Sequence, residues 1–383
     1  MQYSKLIKKT FYNYFFACIL ILFYLSEGIS KYYLYYHSHK LNAPKNIKTV
    51  IIILLFAYLI YSKREAIIIK LLGLLLLFIV GQLSLNYDIL NVEKLTIIAK
   101  YLFPIFFLES AYIILKKSKR QLFFKTFEYL IIFNSLLLLV GFVFDIKLFK
   151  TYAHRFGFNG LFITSATSTY FYIIAIFYLF MNSKKSYYFY FLTIITLISS
   201  VLVGTKSIFL FLMLLLLFIS FYKINKKYRV KAIILAVITI SILAFLFFVF
   251  EPSYLNFIKE RGLLTAILSY RDELFLEKTM PFISGNWSMV NYFFGGINNV
   301  LNRSQLGFID LFLTLGIVGS IVYLYFFYKS LVKSKMNKEF IFFIISMIII
   351  ISLGGNFFFS ATIVVYLTII QQIFIKNIDS INE

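Results

Sequence analysis

Residues 66 to 85 read AIIIKLLGLLLLFIVGQLSL, twenty positions that carry one charge, Lys70. A run this apolar and this long matches the roughly 20 helical residues needed to cross about 30 Å of hydrocarbon. Comparable runs recur along the chain and define twelve candidate spans, near residues 10–28, 47–62, 66–85, 95–115, 127–145, 161–182, 187–204, 207–222, 232–250, 307–328, 340–354 and 357–375. The last two are divided only by Gly354, Gly355 and Asn356, so eleven spans is the alternative count. Lipid offers no partner to a backbone polar group, and each span must therefore close its own hydrogen bonds as a helix. The runs are solid rather than alternating, which excludes an outer-membrane barrel. The expected fold is an all-α integral membrane protein: one polytopic membrane domain over 1–383, a bundle of about twelve transmembrane helices. At 61% hydrophobic residues and a mean hydropathy of +0.87, the chain has more apolar surface than a soluble core of its size could hide. The first run is long and no small-residue cleavage site follows it, so it is expected to remain as an anchor.

Charge orients the bundle. Lys and Arg crowd into short loops on the side that holds the N-terminus, such as KKSKR at 116–120 and KINKKYRVK at 223–231. By the positive-inside rule both termini are expected in the cytoplasm. The net charge of +22 is then a topology signal with some attraction to anionic lipid. Nucleic acid is not an expected partner, because no soluble basic domain exists to carry it.

This topology puts residues 251–306 outside, as one large extracytoplasmic loop. Segments this long are functional or disordered rather than simple connections. The loop is expected to be partly helical, since Phe257, Leu263, Leu264, Ile267, Leu268, Leu274 and Phe275 approximate one helical face. Within it SYRDELF, at 269–275, packs an arginine, an aspartate and a glutamate into seven positions.

Several chemistries lack their residues. Cys18 is the only cysteine, which excludes an intrachain disulfide and a thiolate metal site. His37 and His39 form a His-x-His pair with no acid or cysteine nearby, and no metal is expected. GTKS at 204–207 lacks the first glycine of a phosphate loop, and no Asp-x-Asp occurs. No cofactor is expected. His154 is the only histidine near a span that could serve a membrane acyltransferase, and it falls outside the span.

What remains is a set of polar residues at the outer face: Arg155 before the sixth span, Lys206 in the turn after the seventh, Arg271 in the large loop, and Arg303 and Asp310 at the start of the tenth. If 303–314 is helical, Arg303, Asp310 and Thr314 share a face. Arg and Lys converging at a water boundary suit an anionic ligand such as a lipid diphosphate, and a carboxylate beside them suits proton removal from an incoming hydroxyl. Each has a second reading: Arg155 and Arg303 as residues snorkelling to headgroups, and Arg271 as half of an exposed ion pair. Lys206 and Asp310 favour a role, since charge at such positions is costly unless used or paired. Inside the spans, Lys100 and Glu109 lie two and a half turns apart and face opposite sides, so each needs another partner. Lys70 and Glu128 are expected to snorkel at the cytoplasmic edge.

In order and side these features resemble the O-antigen and capsular polysaccharide polymerases, a family related to the O-antigen ligases. RFGFNG at 155–160 followed by SATSTY at 165–170 is similar to the family's Arg and Gly segment. LVGTKS at 202–207 resembles the turn where the family usually has arginine, with Lys206 as a departure. YRDELF, NWSMV at 286–290 and FFGGI at 293–297 resemble its loop pattern, and SQLGFIDLFLTLGIVGS at 304–320 resembles the motif that follows, with Gln305 where many polymerases have an acid.

The resemblance implies a metal-independent glycosyltransferase of the bacterial inner (plasma) membrane. Such an enzyme polymerises undecaprenyl-diphosphate-linked repeat units into O-antigen, capsule or a related surface polysaccharide. Catalytic roles would fall to Asp310 as base and to Arg271 and Lys206 at the departing diphosphate. Arg155, Arg303, Trp287 and Tyr292 would bind substrate. Its partners would be the lipid-linked glycans, membrane lipids, a chain-length regulator and a flippase. The competing readings are a flippase or polysaccharide transporter, which usually shows two related halves not found here, and an O-antigen ligase, which shares almost all the chemistry.

Overall fold

A computed structural model describes residues 2–37, 41–85, 91–116, 120–152, 155–182, 186–250, 253–333 and 336–379. His39, His154 and the middle of the 116–120 basic loop lie outside the described residues. The described chain is helical with no β-strand, only a single bridge between Lys150 and Phe158. Its helices are α1 Gln2–His37, α2 Ala43–Tyr61, α3 Glu65–Leu83, α4 Val92–Leu115, α5 Arg120–Val143, α6 Ser165–Met181, α7 Tyr187–Leu202, α8 Lys206–Phe218 and α9 Arg229–Phe250. Five short ones follow, α10 Ser253–Arg261, α11 Leu263–Leu268, α12 Arg271–Leu274, α13 Met280–Asn286 and α14 Met289–Phe294. The chain closes with α15 Gly307–Leu331, α16 Lys338–Leu353 and α17 Ala361–Asp379.

Among the described residues seven helices are long and apolar enough to cross a membrane: α1 from Tyr14, α2, α3, α4, α5, α8 with its π-helical extension to Lys223, and α15. Ser165–Met181, Tyr187–Leu202 and Ala361–Ile375 are apolar but shorter. The expected count of twelve is thus larger than the number of helices that meet the length on their own. α6 is 17 residues long and begins at a cap, Thr164 accepting from the Thr167 N–H at 3.2 Å, while residues 354–360 form a non-helical connection before the 19 residues of α17. That connection separates α16 from α17, and a Cβ at Gly355 would lie 1.7 Å from the Gln305 carbonyl oxygen.

Burial ranks the helices. α17 packs against α4 and α6, and α6 is enclosed from Thr167 to Leu179. The apolar window of α4 is 78% buried against 17% for α2, which makes α4 interior and α2 peripheral. A helix that is apolar all round belongs either inside a core or against lipid, and the bundle contains both kinds. α15 is not continuous: Gly316, at φ 66°, interrupts its helical backbone. The loop backbone at Phe293–Gly295 fills the break, so close that a Cβ at Gly316 would sit 2.4 Å from it, and a Cβ at Gly81 of α3 would meet the Phe294 carbonyl oxygen at 2.4 Å. Asn291 fastens this crossing, donating to the carbonyls of Gly81 at 2.8 Å and Gly295 at 2.7 Å.

Candidate functional site

At one end of the bundle the loop segment after α9 meets the C-terminal part of α3 (Asn291 to Gly81), the starts of α4 (Glu93 to Val300), α8 (Lys206 to Ala266) and α15 (Arg303 to Asp310), and the end of α16 (Arg271 to Leu353). All seven sequence-derived site residues are found there. Arg303 does not belong to α15, which begins at Gly307; it follows a short 3₁₀ turn, Val300–Asn302, and reaches Asp310 from the loop. Its Nη2 donates to Asp310 Oδ2 at 2.7 Å and to Asn356 Oδ1 at 3.1 Å. The other Asp310 oxygen accepts from the Ser304 hydroxyl and the Gln305 backbone N–H, both at 3.1 Å. Asp310 is 1% exposed. The carboxylate is enclosed and holds three donors, and it orients Arg303 and the 303–306 turn. Thr314 lies one turn on and donates to the Asp310 carbonyl at 2.8 Å.

Lys206 is the first residue of α8, and its ammonium donates to the carbonyls of Ala266 and, at 3.1 Å, Ile267. Arg271 Nη1 donates to Leu268, at 3.4 Å, and to Leu353, at 3.1 Å. The two cations are therefore drawn together by the C-terminal carbonyls of α11, the electronegative end of a helical turn. Lys206 is within electrostatic range of both Arg271 and Arg155. Burial lowers the Arg271 guanidinium below its usual range, an effect opposed by Tyr170, Tyr152 and Asp310. The Nε–H groups of Arg271 and of Arg303 are both buried with no acceptor among the described residues. Arg155 is exposed and stacks on Tyr152, 3.7 Å from the ring centroid. Beside it lies an open cavity of about 360 Å³ walled by Phe142, Phe156 and Phe158, with the Asp145–Lys150 ion pair, 2.5 Å long, at its edge.

Trp287 and Tyr292 play unequal parts. The Trp287 indole donates to the Gly296 carbonyl at 3.0 Å and packs edge-on to Phe312 and Tyr292, so it fixes the loop that fills the break in α15. Tyr292 is 40% exposed.

The deeper charges depart from the snorkelling expectation. Lys70 pairs with Glu109 at 3.5 Å, and Glu109 also accepts from Lys333 at 2.8 Å and Ser330 at 3.1 Å. Glu128 is buried and accepts from the Tyr178 and Tyr188 hydroxyls at 2.5 and 3.0 Å. These groups stay inside because neighbouring helices offer donors that lipid headgroups would otherwise have to supply. Lys100 and Glu109 remain apart, as their spacing requires: Lys100 lies on the ring of Phe359 at 3.9 Å.

Sequence reasoning missed Glu27 and Lys31. Glu27 accepts from the Ile163 N–H at 3.1 Å and Thr362 at 2.9 Å, while Lys31 donates to Asn159 and, at 2.6 Å, to the Gly160 carbonyl. Their i, i+4 spacing on α1 was the available signal. Phe359 and Asn356 carried no such signal. No protein-family model, curated protein or solved structure matches this chain.

Proposed function

We propose that the protein is a metal-independent membrane glycosyltransferase that polymerises lipid-diphosphate-linked oligosaccharide repeat units, with the loop-bearing end outside the cytoplasm. The observation that carries this reading is the meeting of Lys206, Arg271 and Arg155, from three distant parts of the chain, beside an open aromatic-walled cavity. Phe142, Phe156 and Phe158 pack edge to face on one another and form an apolar wall against which a sugar ring lies, and the three cations answer the diphosphate that links it to lipid. In the transfer, the acceptor hydroxyl oxygen bonds to the anomeric carbon as the bond from that carbon to the diphosphate oxygen breaks. The electron pair leaves with the diphosphate, and the acceptor proton passes to a departing phosphate oxygen. Arg271 and Lys206 stabilise the charge that develops there, in a site partly closed to water. Asp310 serves as the anchor of Arg303 rather than as the base.

The break in α15 at Gly316 favours a second reading, a transporter of the same lipid-linked oligosaccharides, since interrupted helices line many transport sites. Against it, the break is packed with the Phe293–Gly295 backbone. The test is the length of the surface glycan made by cells carrying Arg271→Ala or Lys206→Ala. The polymerase reading expects inserted protein and single repeat units; long chains at wild-type level in both variants would overturn it.

A further inference from the structure

On the polymerase reading Lys206 and Arg271 hold a diphosphate, yet both already hold part of the protein. Between them they engage the last three carbonyls of α11, those of Ala266, Ile267 and Leu268, and Arg271 also reaches the Leu353 carbonyl at the end of α16. α11 has six residues and packs chiefly on its neighbours in sequence, α10 and α12. A helix that short does not hold itself together, and these two side chains tie it to the bundle. It is bracketed by left-handed backbone. Gly262 precedes it at φ 87°, with nothing within 4 Å of an added Cβ, and Ser269 and Tyr270 follow it at φ 55° and 63°. One left-handed residue after a helix is an ordinary cap. Two in a row without a glycine are costly and persist only where the surroundings impose them. A second cost lies beside them: Asp272 accepts from the Thr265 hydroxyl at 2.5 Å through Oδ2, while its Oδ1 is buried and meets no donor among the described residues.

From this we infer that α11 is a latch, closed in this structure, which a diphosphate opens by drawing Lys206 and Arg271 away from its carbonyls. The inference rests on the reading of these two side chains as the diphosphate site. The same N–H groups serve both acceptors, and a phosphate oxygen bearing negative charge is a stronger acceptor than a peptide carbonyl. As the ammonium and the guanidinium turn to the anion, the carbonyls of Ala266, Ile267 and Leu268 lose their donors, the left-handed pair at 269–270 relaxes and the Asp272 carboxylate reaches water. Rotation at Gly262 and at Ser269–Tyr270 carries α11 outward. Leu263 and Leu264 on its outer side are already exposed, so the core of the bundle stays packed. Selectivity follows, because the latch yields only to a ligand that outcompetes three carbonyls.

The experiment follows amide hydrogen exchange in the full-length protein, in nanodiscs of neutral lipid, with and without radiolabelled farnesyl diphosphate, whose binding is counted in the same preparation. A latch predicts the opposite of ordinary protection by a ligand. Exchange over 262–274, where the Ala266 and Tyr270 N–H groups bond to Gly262 and Thr265, rises about tenfold on binding, while exchange over α14 is unchanged. Thr265→Val unties Asp272 without touching either cation. It should raise exchange over 262–274 before any ligand is added and tighten farnesyl diphosphate binding about tenfold, because more of the protein is already open; Thr265→Ser, which keeps the hydroxyl, should behave as wild type. Bound farnesyl diphosphate with unchanged or slower exchange over 262–274 overturns the latch and leaves the diphosphate site. An equal rise caused by farnesol, or a Thr265→Val protein that binds no more tightly than wild type, overturns it as well. No saturable binding to wild type removes the diphosphate site itself, and the latch with it.

Discussion

At the loop-bearing end, Arg303 and, at longer range, Arg271 share Asp310, and each keeps a buried N–H without an acceptor among the described residues. At the opposite end the proportions reverse: Lys70, Lys333 and Ser330 all close on Glu109. Burial lowers Lys333 below its usual range while Glu109 pulls it back up. The difference separates two uses of buried charge. A carboxylate with donors to spare is a joint between α3, α4 and α15, and its removal acts on folding. On the proposed reading, cations with donors unanswered receive an anion, and their removal acts on binding that anion.

The largest effect expected from that contrast is on stability. Glu109→Ala leaves Lys70 and Lys333 uncompensated and should cost about 3 to 5 kcal/mol, read as a fall in melting temperature in detergent, with chain growth retained below the transition. Unchanged melting with lost chain growth would dissolve the comparison and make the Glu109 centre chemical. Arg271→Ala should do the converse. Loss of one donor to developing negative charge lowers the turnover rate about 10²-fold or more, at nearly unchanged melting temperature. A smaller effect sharpens the role of the loop: Gly316→Ala forces a side chain into a left-handed position 2.4 Å from the Phe293–Gly295 backbone. It should cost about 2 kcal/mol or more, while Gly73→Ala, with nothing within 4 Å of the added carbon, is the neutral control. The smallest is Trp287→Phe. It removes the donor to the Gly296 carbonyl and should cost about 1 kcal/mol without raising KM for the glycan substrate; a raised KM at unchanged stability would return Trp287 to the sugar.

Helix positions were largely legible because a membrane solvent imposes one rule on every span. Each of the twelve apolar runs overlaps a helix, from α1 to α17. What the apolar pattern could not register was where helices stop short. α6 and α17 start late because Thr164 and the 354–360 connection sit within the packed bundle, and a hydropathy run does not distinguish an apolar helix from an apolar loop pressed against one. The basic residues of the site were legible one at a time as charges out of place. Their roles were not, since these depend on contacts between residues far apart in the chain. The enclosure of Asp310 by Arg303, Ser304 and Gln305 is one such set of contacts. Phe359 meets Lys100, Arg303 and Tyr101 only through the packing of the α16–α17 connection against α4.

The most direct test of the central claim is chain growth by the purified protein in detergent, supplied with lipid-linked repeat units and nothing else. A ladder of multi-repeat products is expected, with one polyprenyl diphosphate released for each new linkage, abolished in the Lys206→Ala/Arg271→Ala double variant. Substrate that stays unextended in detergent, yet crosses the bilayer when the same protein is sealed into vesicles, would contradict it.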